Sequence, residues 1–153
     1  MPLVFKNHNL PLAIWAIEFI GPFPKLSKRT GSRYIITGVE YLTKWGEVEL
    51  VSNCREAIAT KFIYENIIVR FGHPLMLISD RGTHFLIKTI DILMKSYQIS
   101  HQNTSPYHPQ ANGVVESFKK TLTKGLKKIC GIYQDDWDDK VPTILWAYRE
   151  AYK

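Results

Sequence analysis

An α/β domain built on one mixed sheet is the expectation, and three observations carry it. Apolar residues first recur with period two, in three β-prone runs joined by short connections. From Ile58 onward the period becomes helical, and short buried runs alternate with amphipathic stretches. The resulting order is strand, strand, strand, helix, strand, helix, strand, helix, helix. Short connections make the first three strands antiparallel neighbours, and the later crossovers call for parallel ones.

Each element has its own signal. Leu12 to Ile20 is apolar and β-prone, and Gly21-Pro22-Phe23-Pro24 closes it. A basic turn follows, with Lys25, Lys28, Arg29 and Arg33. Tyr34 to Tyr41 is rich in Ile, Val, Thr and Tyr, and Glu47 to Val51 alternates charged and apolar residues. Ile58, Phe62, Ile63, Ile67 and Phe71 then mark a helix. Asn53 and Glu56 predict a capping box at its start, and Gly72 with Pro74 ends it.

Leu75 to Ser79 is a short buried strand, and Leu86, Ile90, Leu93, Met94 and Tyr97 form one face of a second helix. Ile99 to Gln102 is the fifth strand. The run from Asn103 to Gly113 holds two prolines and a closing Asn-Gly, which predict a loop. A long helix is expected from about Gly113 to Cys130. Behind an acidic cap of Asp135 and Asp136, a last helix carries Trp137, Val141, Ile144, Leu145 and Tyr148. Pro142 is expected to kink or restart it.

Composition narrows the class. The 153 residues suit one domain with a real core, and 45% hydrophobic with 22% charged residues is globular rather than disordered. No apolar run approaches the ~18 residues of a membrane span, so no membrane partner is expected. The first residues lack the basic-then-apolar order of a signal peptide. Cys54 and Cys130 make neither a disulfide scaffold nor a Cys-x-x-Cys zinc pair; reduced thiols and an intracellular setting are expected. Twenty Lys and Arg against 14 Asp and Glu give a net charge of +6, which favours a polyanionic partner such as nucleic acid.

Three carboxylates stand where ligands gather in α/β sheets, at strand ends and helix starts. Glu18 interrupts an apolar strand, Asp80 ends a parallel-type strand, and Glu116 falls in the first turn of the long helix. A carboxylate among apolar strand residues is costly unless it is paired or binds a cation. Three that converge at one end of the sheet would hold a hard cation, Mg²⁺ or Mn²⁺. Plainer roles stand beside this one: Glu18 facing solvent from an edge strand, Asp80 in a turn, Glu116 favoured by the helix dipole. On the long helix, Val115, Phe118, Leu122, Leu126 and Ile129 fall in one arc. Lys119, Lys120, Lys124 and Lys127 fall in another, centred on Glu116. With no acid after Glu116 to balance them, these lysines suit a phosphate backbone; a solvated surface face is the alternative.

Five ordered blocks add a resemblance. They are Trp15-Ala-Ile-Glu-Phe-Ile-Gly-Pro-Phe-Pro24, Tyr41-Leu-Thr-Lys-Trp45, Ser79-Asp-Arg-Gly-Thr-His-Phe85, Ser105-Pro-Tyr-His-Pro-Gln-Ala-Asn-Gly113 and Trp146-Ala-Tyr-Arg149. Over residues 12 to 152 the chain resembles the integrase catalytic core of gypsy-type LTR retrotransposons. The 35 residues between Asp80 and Glu116 match that family's spacing.

The resemblance implies an RNase H-like fold, with a mixed five-stranded sheet flanked by helices. It implies DNA integration by metal-dependent polynucleotidyl transfer, namely 3′-end processing and strand transfer. Glu18, Asp80 and Glu116 would be the catalytic metal ligands, holding two Mg²⁺ (or Mn²⁺) ions with substrate. Tyr107, His108, Gln110 and Asn112 would form an active-site loop that touches nucleic acid beside Lys119, Lys120, Lys124 and Lys127. Double-stranded DNA, both element ends and target, is the implied partner. A homo-oligomer and a nuclear location are implied as well.

The family has Asp at the first ligand position, where this chain has Glu18. One added methylene moves the carboxylate by roughly 1.5 Å, and a misplacement of about 1 Å can cost on the order of 10²-fold in rate. Impaired activity is therefore expected, with an inactive nucleic-acid-binding remnant as the alternative. Glu40 also replaces a usual Asp and is assigned no catalytic role. The expected organisation is a leader over residues 1–11 and a C-terminally truncated core over 12–153.

Overall fold

The computed structural model describes residues 10–79, 91, 95–98, 100–103, 109–130 and 134–151. The β-prone runs become β1 (Ile14–Ile20), β2 (Tyr34–Glu40), β3 (Gly46–Val51), β4 (Met76–Ser79) and β5 (Ser100–Asn103). They form one sheet in the order β3-β2-β1-β4-β5. The first three strands are antiparallel, with Glu18 opposite Thr37 and Ile36 opposite Glu49. β4 runs parallel to both β1 and β5, with Ile17 opposite Ser79. The expected mixed five-stranded sheet is thus present, its boundaries moved by one or two residues. β1 starts late because Leu12 adopts a left-handed turn with φ 65°.

Among the described residues, three long helical elements flank the sheet. Helix α1 (Glu56–Phe62) runs on through a π-helical segment (Ile63–Ile68) and a closing turn (Val69–Phe71), and Gly72 ends it at φ 85°. The expected capping box is not formed. Arg55 is the N-cap, and the Asn53 side chain instead accepts the Arg55 N–H at 3.0 Å. That local turn uses the amide oxygen before the helix begins. Of the helix expected near Leu86 to Tyr97, Asp91, Lys95 and Ser96 are helical, and the remainder lies mostly outside the described residues.

The long helix α2 spans Pro109–Ile129. It begins four residues earlier than expected, and the reason is proline chemistry. Pro109 occupies the first helical position, where a missing N–H costs nothing and the fixed φ is already helical. Gly113 then sits inside the helix at about 1 kcal/mol relative to Ala. Burial of Val114, Phe118, Leu122 and Leu126 offsets that cost. These four, spaced by four residues, are the true buried ridge. Ile129, expected among them, is exposed.

Helix α3 (Trp137–Ala151) contains Pro142 without restarting. The N–H absent at Pro142 would have bonded the Asp138 carbonyl, and the buried Val141, Ile144 and Tyr148 hold the helix together around it.

Among the described residues, apolar side chains are buried on both faces of the sheet. Trp15, Ile17, Ile36 and Leu77 pack against Ala59, Phe62, Ile63 and Ile67 of the α1 side. Ile20, Ile35 and Val39 pack against α2 and α3. Gly46 is required for the packing on α2 and α3: a Cβ there would lie 2.5 Å from the Phe118 ring.

Three buried carboxylates tie the connections together. Glu40 is fully buried. It accepts the N–H groups of Leu12, Leu42 and Thr43 and the Thr43 hydroxyl, joining the entry to β1 to the β2–β3 turn. Glu47 receives Arg70 at 2.6 Å and the Trp45 indole N–H at 2.8 Å, and Arg149 lies 3.3 Å away. Asp138 accepts the N–H groups of Arg29 and Thr30, each at 3.0 Å, and the Thr30 hydroxyl at 3.2 Å.

Burial alone raises the Asp138 carboxyl pKa. The N–H groups of Thr30 and Arg29, the Thr30 hydroxyl and the Asp139 N–H outweigh it, so the pKa lies below its ordinary value. A lowered carboxylate pKa adds stability that is present above the unfolded value and lost as pH falls through the folded one. Asp138→Asn is therefore expected to lose about 2 kcal/mol at pH 7. In urea unfolding across pH, its gap from the parent should close below roughly pH 4. A gap unchanged down to pH 3 would assign the effect to shape rather than charge.

Candidate active site

β1 is the centre of the sheet, not its edge. Its alternation sends Trp15 and Ile17 to the α1 side, while Ala16 and Ile20 pack on the other. Glu18 shares that second face. Its Oε1 lies 3.4 Å from the Lys119 Nζ of α2, with the carboxylate side chain 14% exposed. The solvent-facing edge role for Glu18 is thereby overturned. A central-strand carboxylate is held against a helix that supplies a cation. Beside it, the Glu18 carbonyl accepts the Thr37 hydroxyl at 3.2 Å.

Asp80 lies outside the described residues. β4 closes at Ser79, whose partner Ile17 immediately precedes Glu18. Glu116 is exposed on α2, one helical turn before Lys119. Because α2 starts at Pro109, Glu116 lies beyond the first turn, and the dipole role offered for it loses its basis. Gln110 and Asn112 belong to the first turns of that helix rather than to a loop. Tyr107 and His108 lie outside the described residues.

The lysine face is present, with one member drawn inward. Lys120, Lys124 and Lys127 are exposed, whereas Lys119 is half-buried against Glu18. Lys127 also lines a cleft of about 350 Å³ with Lys25, beside Phe23 stacked at 4.4 Å on Trp137. Cys130 borders this cleft. Burial pushes its thiol pKa up, and burial does the same at Cys54; both are free cysteines.

Among the described residues no three acidic, His or Cys side chains gather around one point. The donor chemistry still fits a hard cation. Glu18 and Glu116 offer only carboxylate oxygens, the donor type that Mg²⁺ and Mn²⁺ take.

Several known proteins share this sheet and its helices. The chain is 32% identical over 125 residues to an uncharacterized protein of Caenorhabditis elegans, covering 80% of this chain. It is 30% identical over 133 residues, 87% of this chain, to a retrovirus-related Pol polyprotein from transposon 412 of Drosophila melanogaster. The chain spans only about a tenth of the length of these relatives, 9% and 11%. Compared with models of known protein families, it matches none. The catalytic core domain of BIV integrase superposes with a TM-score of 0.69 at 23% identity, covering 88% of this chain and 82% of that one. The chain's fold is that of the retroviral integrase catalytic core. A second integrase core, that of HTLV-2 in a trimeric form in complex with magnesium, superposes at 0.67 with 20% identity, covering 91% and 86%.

Within this integrase-type core, two of the five sequence blocks bond each other. Tyr148 of Trp146–Arg149 donates its hydroxyl to the Lys44 carbonyl at 2.6 Å. Arg149 donates to the Gly46 carbonyl at 2.8 and 3.1 Å, and its guanidinium lies 4.1 Å over the Trp45 ring. These blocks hold the last helix to the sheet rather than facing Glu18. Sequence reasoning missed this Glu47–Arg149 cluster. An Arg seven residues after a helix proline carries no local mark of its partner 102 positions earlier.

Proposed function

We propose that the integrase-type core acts in DNA integration as a metal-dependent polynucleotidyl transferase of a gypsy-type LTR retrotransposon. Its substrates are element ends and target DNA, and it works as a homo-oligomer in the nucleus. The single observation that carries the proposal is the Glu18–Lys119 contact. It sets the lysine-bearing face of α2 beside a carboxylate on the central strand. A DNA backbone laid along Lys120, Lys124 and Lys127 would bring a phosphodiester to that carboxylate.

Glu18, Asp80 and Glu116 would hold the divalent cations, Mg²⁺ or Mn²⁺. When bound, such ions polarise the scissile phosphate and acidify the attacking hydroxyl or water. In strand transfer the element's 3′-oxygen gives up its proton and bonds to the target phosphorus, while the target's own 3′-oxygen leaves. The chain contributes position and charge neutralisation. HTLV-2 integrase core in complex with magnesium, and its trimeric form, support the cofactor and the oligomer by kinship of fold.

The resemblance also supports a second reading, a silent DNA-binding remnant: Glu18 is one methylene longer than the Asp that the resembled family would place there. The two are separated by a strand-transfer assay on short duplex ends with Mg²⁺ or Mn²⁺. Slow transfer abolished by Asp80→Asn is the expected result. Binding without any transfer would favour the remnant. Replacing Lys120 and Lys127 together should flatten the salt dependence of DNA binding by about two units, one per lost phosphate contact. An unchanged slope would return that face to solvent.

A further inference from the structure

We infer that Lys119 is a resident counter-cation of the Glu18 site, which a divalent ion must displace in order to bind. The inference rests on the metal-dependent reading above and adds a control to it. Glu18 stands on the central strand with its side chain 14% exposed. A carboxylate so placed needs positive charge nearby. The helix supplies it, with Lys119 Nζ 3.4 Å from Glu18 Oε1.

Lys119 is set apart from the other lysines of its face. Lys120, Lys124 and Lys127 are exposed on the helix, while Lys119 alone among the four is half-buried. Val115 and Phe118 pack on either side of its turn toward the sheet, which fixes the helix at the distance the ion pair requires. Glu116 lies three residues earlier on α2, about 4.5 Å along the axis. A cation shared by Glu18 and Glu116 would therefore sit close to the ammonium group. Two positive charges there repel each other, so each divalent ion that binds must drive Lys119 away from Glu18. By linkage, removing Lys119 must tighten divalent binding by the same factor that the divalent ion weakens the Lys119 contact. The ammonium thus protects the fold when metal is scarce, at the cost of metal affinity. Once displaced, it lies on the lysine face and can take a phosphate.

Mn²⁺ titration calorimetry on the purified chain tests this without reference to catalysis. Lys119→Met is expected to bind Mn²⁺ at least about fivefold more tightly than the parent. Lys119→Arg, which keeps the charge and the reach, should restore parent affinity. Lys124→Met, which removes one charge from the same helix without touching Glu18, should shift affinity less than twofold. Adding Glu18→Gln to Lys119→Met should erase the gain. Lys119→Gln serves the same purpose should the Met variant fail to fold. If Lys119→Met and Lys124→Met bind Mn²⁺ alike, the inference is overturned while the metal-dependent reading stands. If no variant binds Mn²⁺, both fail together.

Discussion

Glu18→Asp is expected to raise the rate of the proposed Mg²⁺-dependent strand transfer by at least about tenfold, since correcting a misplacement of about 1 Å is worth up to 10². The cause is positional. Glu18 projects from the central strand beneath α2, and β1 is fixed on both sides by its pairing with β2 and β4. The strand cannot retreat to absorb an extra methylene. In the proposed site the carboxylate would therefore reach past the point where a shorter one would meet a shared cation. Mg²⁺ tolerates little distortion from octahedral geometry, whereas Mn²⁺ tolerates more. The gain should accordingly be larger with Mg²⁺ than with Mn²⁺. Equal rates for parent and variant in both metals would show that the site accommodates Glu, and the positional argument would fall.

Glu40→Ala is expected to cost about 3–5 kcal/mol, a large share of the 5–15 kcal/mol typical of a domain. The carboxylate is fully buried and accepts from three backbone N–H groups and one hydroxyl. Removing it leaves the N–H groups of Leu12, Leu42 and Thr43 without their acceptor in the interior. Glu40→Gln keeps one acceptor oxygen and should fall between. Urea unfolding gives the measurement, and a midpoint for Glu40→Ala within error of the parent would refute the role. This residue works as a brace. It joins the chain before β1 to the turn after β2.

The strands were legible because their signal is local. Ile, Val and Tyr alternate over β1 and β2, and the structure moves those boundaries by only one or two residues. The start of α2 was misread because Pro109 has two opposite meanings. Inside a helix it breaks, and at the first position it begins one. Which holds depends on whether the following ridge of Val114, Phe118, Leu122 and Leu126 finds a sheet to cover, and that is a tertiary fact.

Glu18 was conspicuous in the sequence, a charge among apolar strand neighbours. Its partner was not. Lys119 looks like any other member of a lysine face until the fold closes the 101 positions between them. Glu40, Glu47 and Asp138 went unread for a related reason. A carboxylate at a strand end or a helix start is ordinarily solvated, and only the donors that converge on them, backbone N–H groups for Glu40 and Asp138 and the Arg70, Arg149 and Trp45 side chains for Glu47, reveal that these are buried.

The attachment of Arg149 to the end of β3 has a consequence for solubility. β3 is an outer strand, and an outer strand offers unpaired carbonyls on which a second polypeptide can build. At Gly46 that opening is closed. The guanidinium takes the carbonyl twice, leans on the Trp45 ring and is kept in place by the carboxylate of Glu47. An incoming strand would have to dislodge a charged group from three partners before making its first hydrogen bond there. The final helix thus serves as a stopper for the sheet. Chains shortened before Tyr148, or carrying Ala in place of Arg149, should retain much of their secondary structure and still accumulate as aggregates.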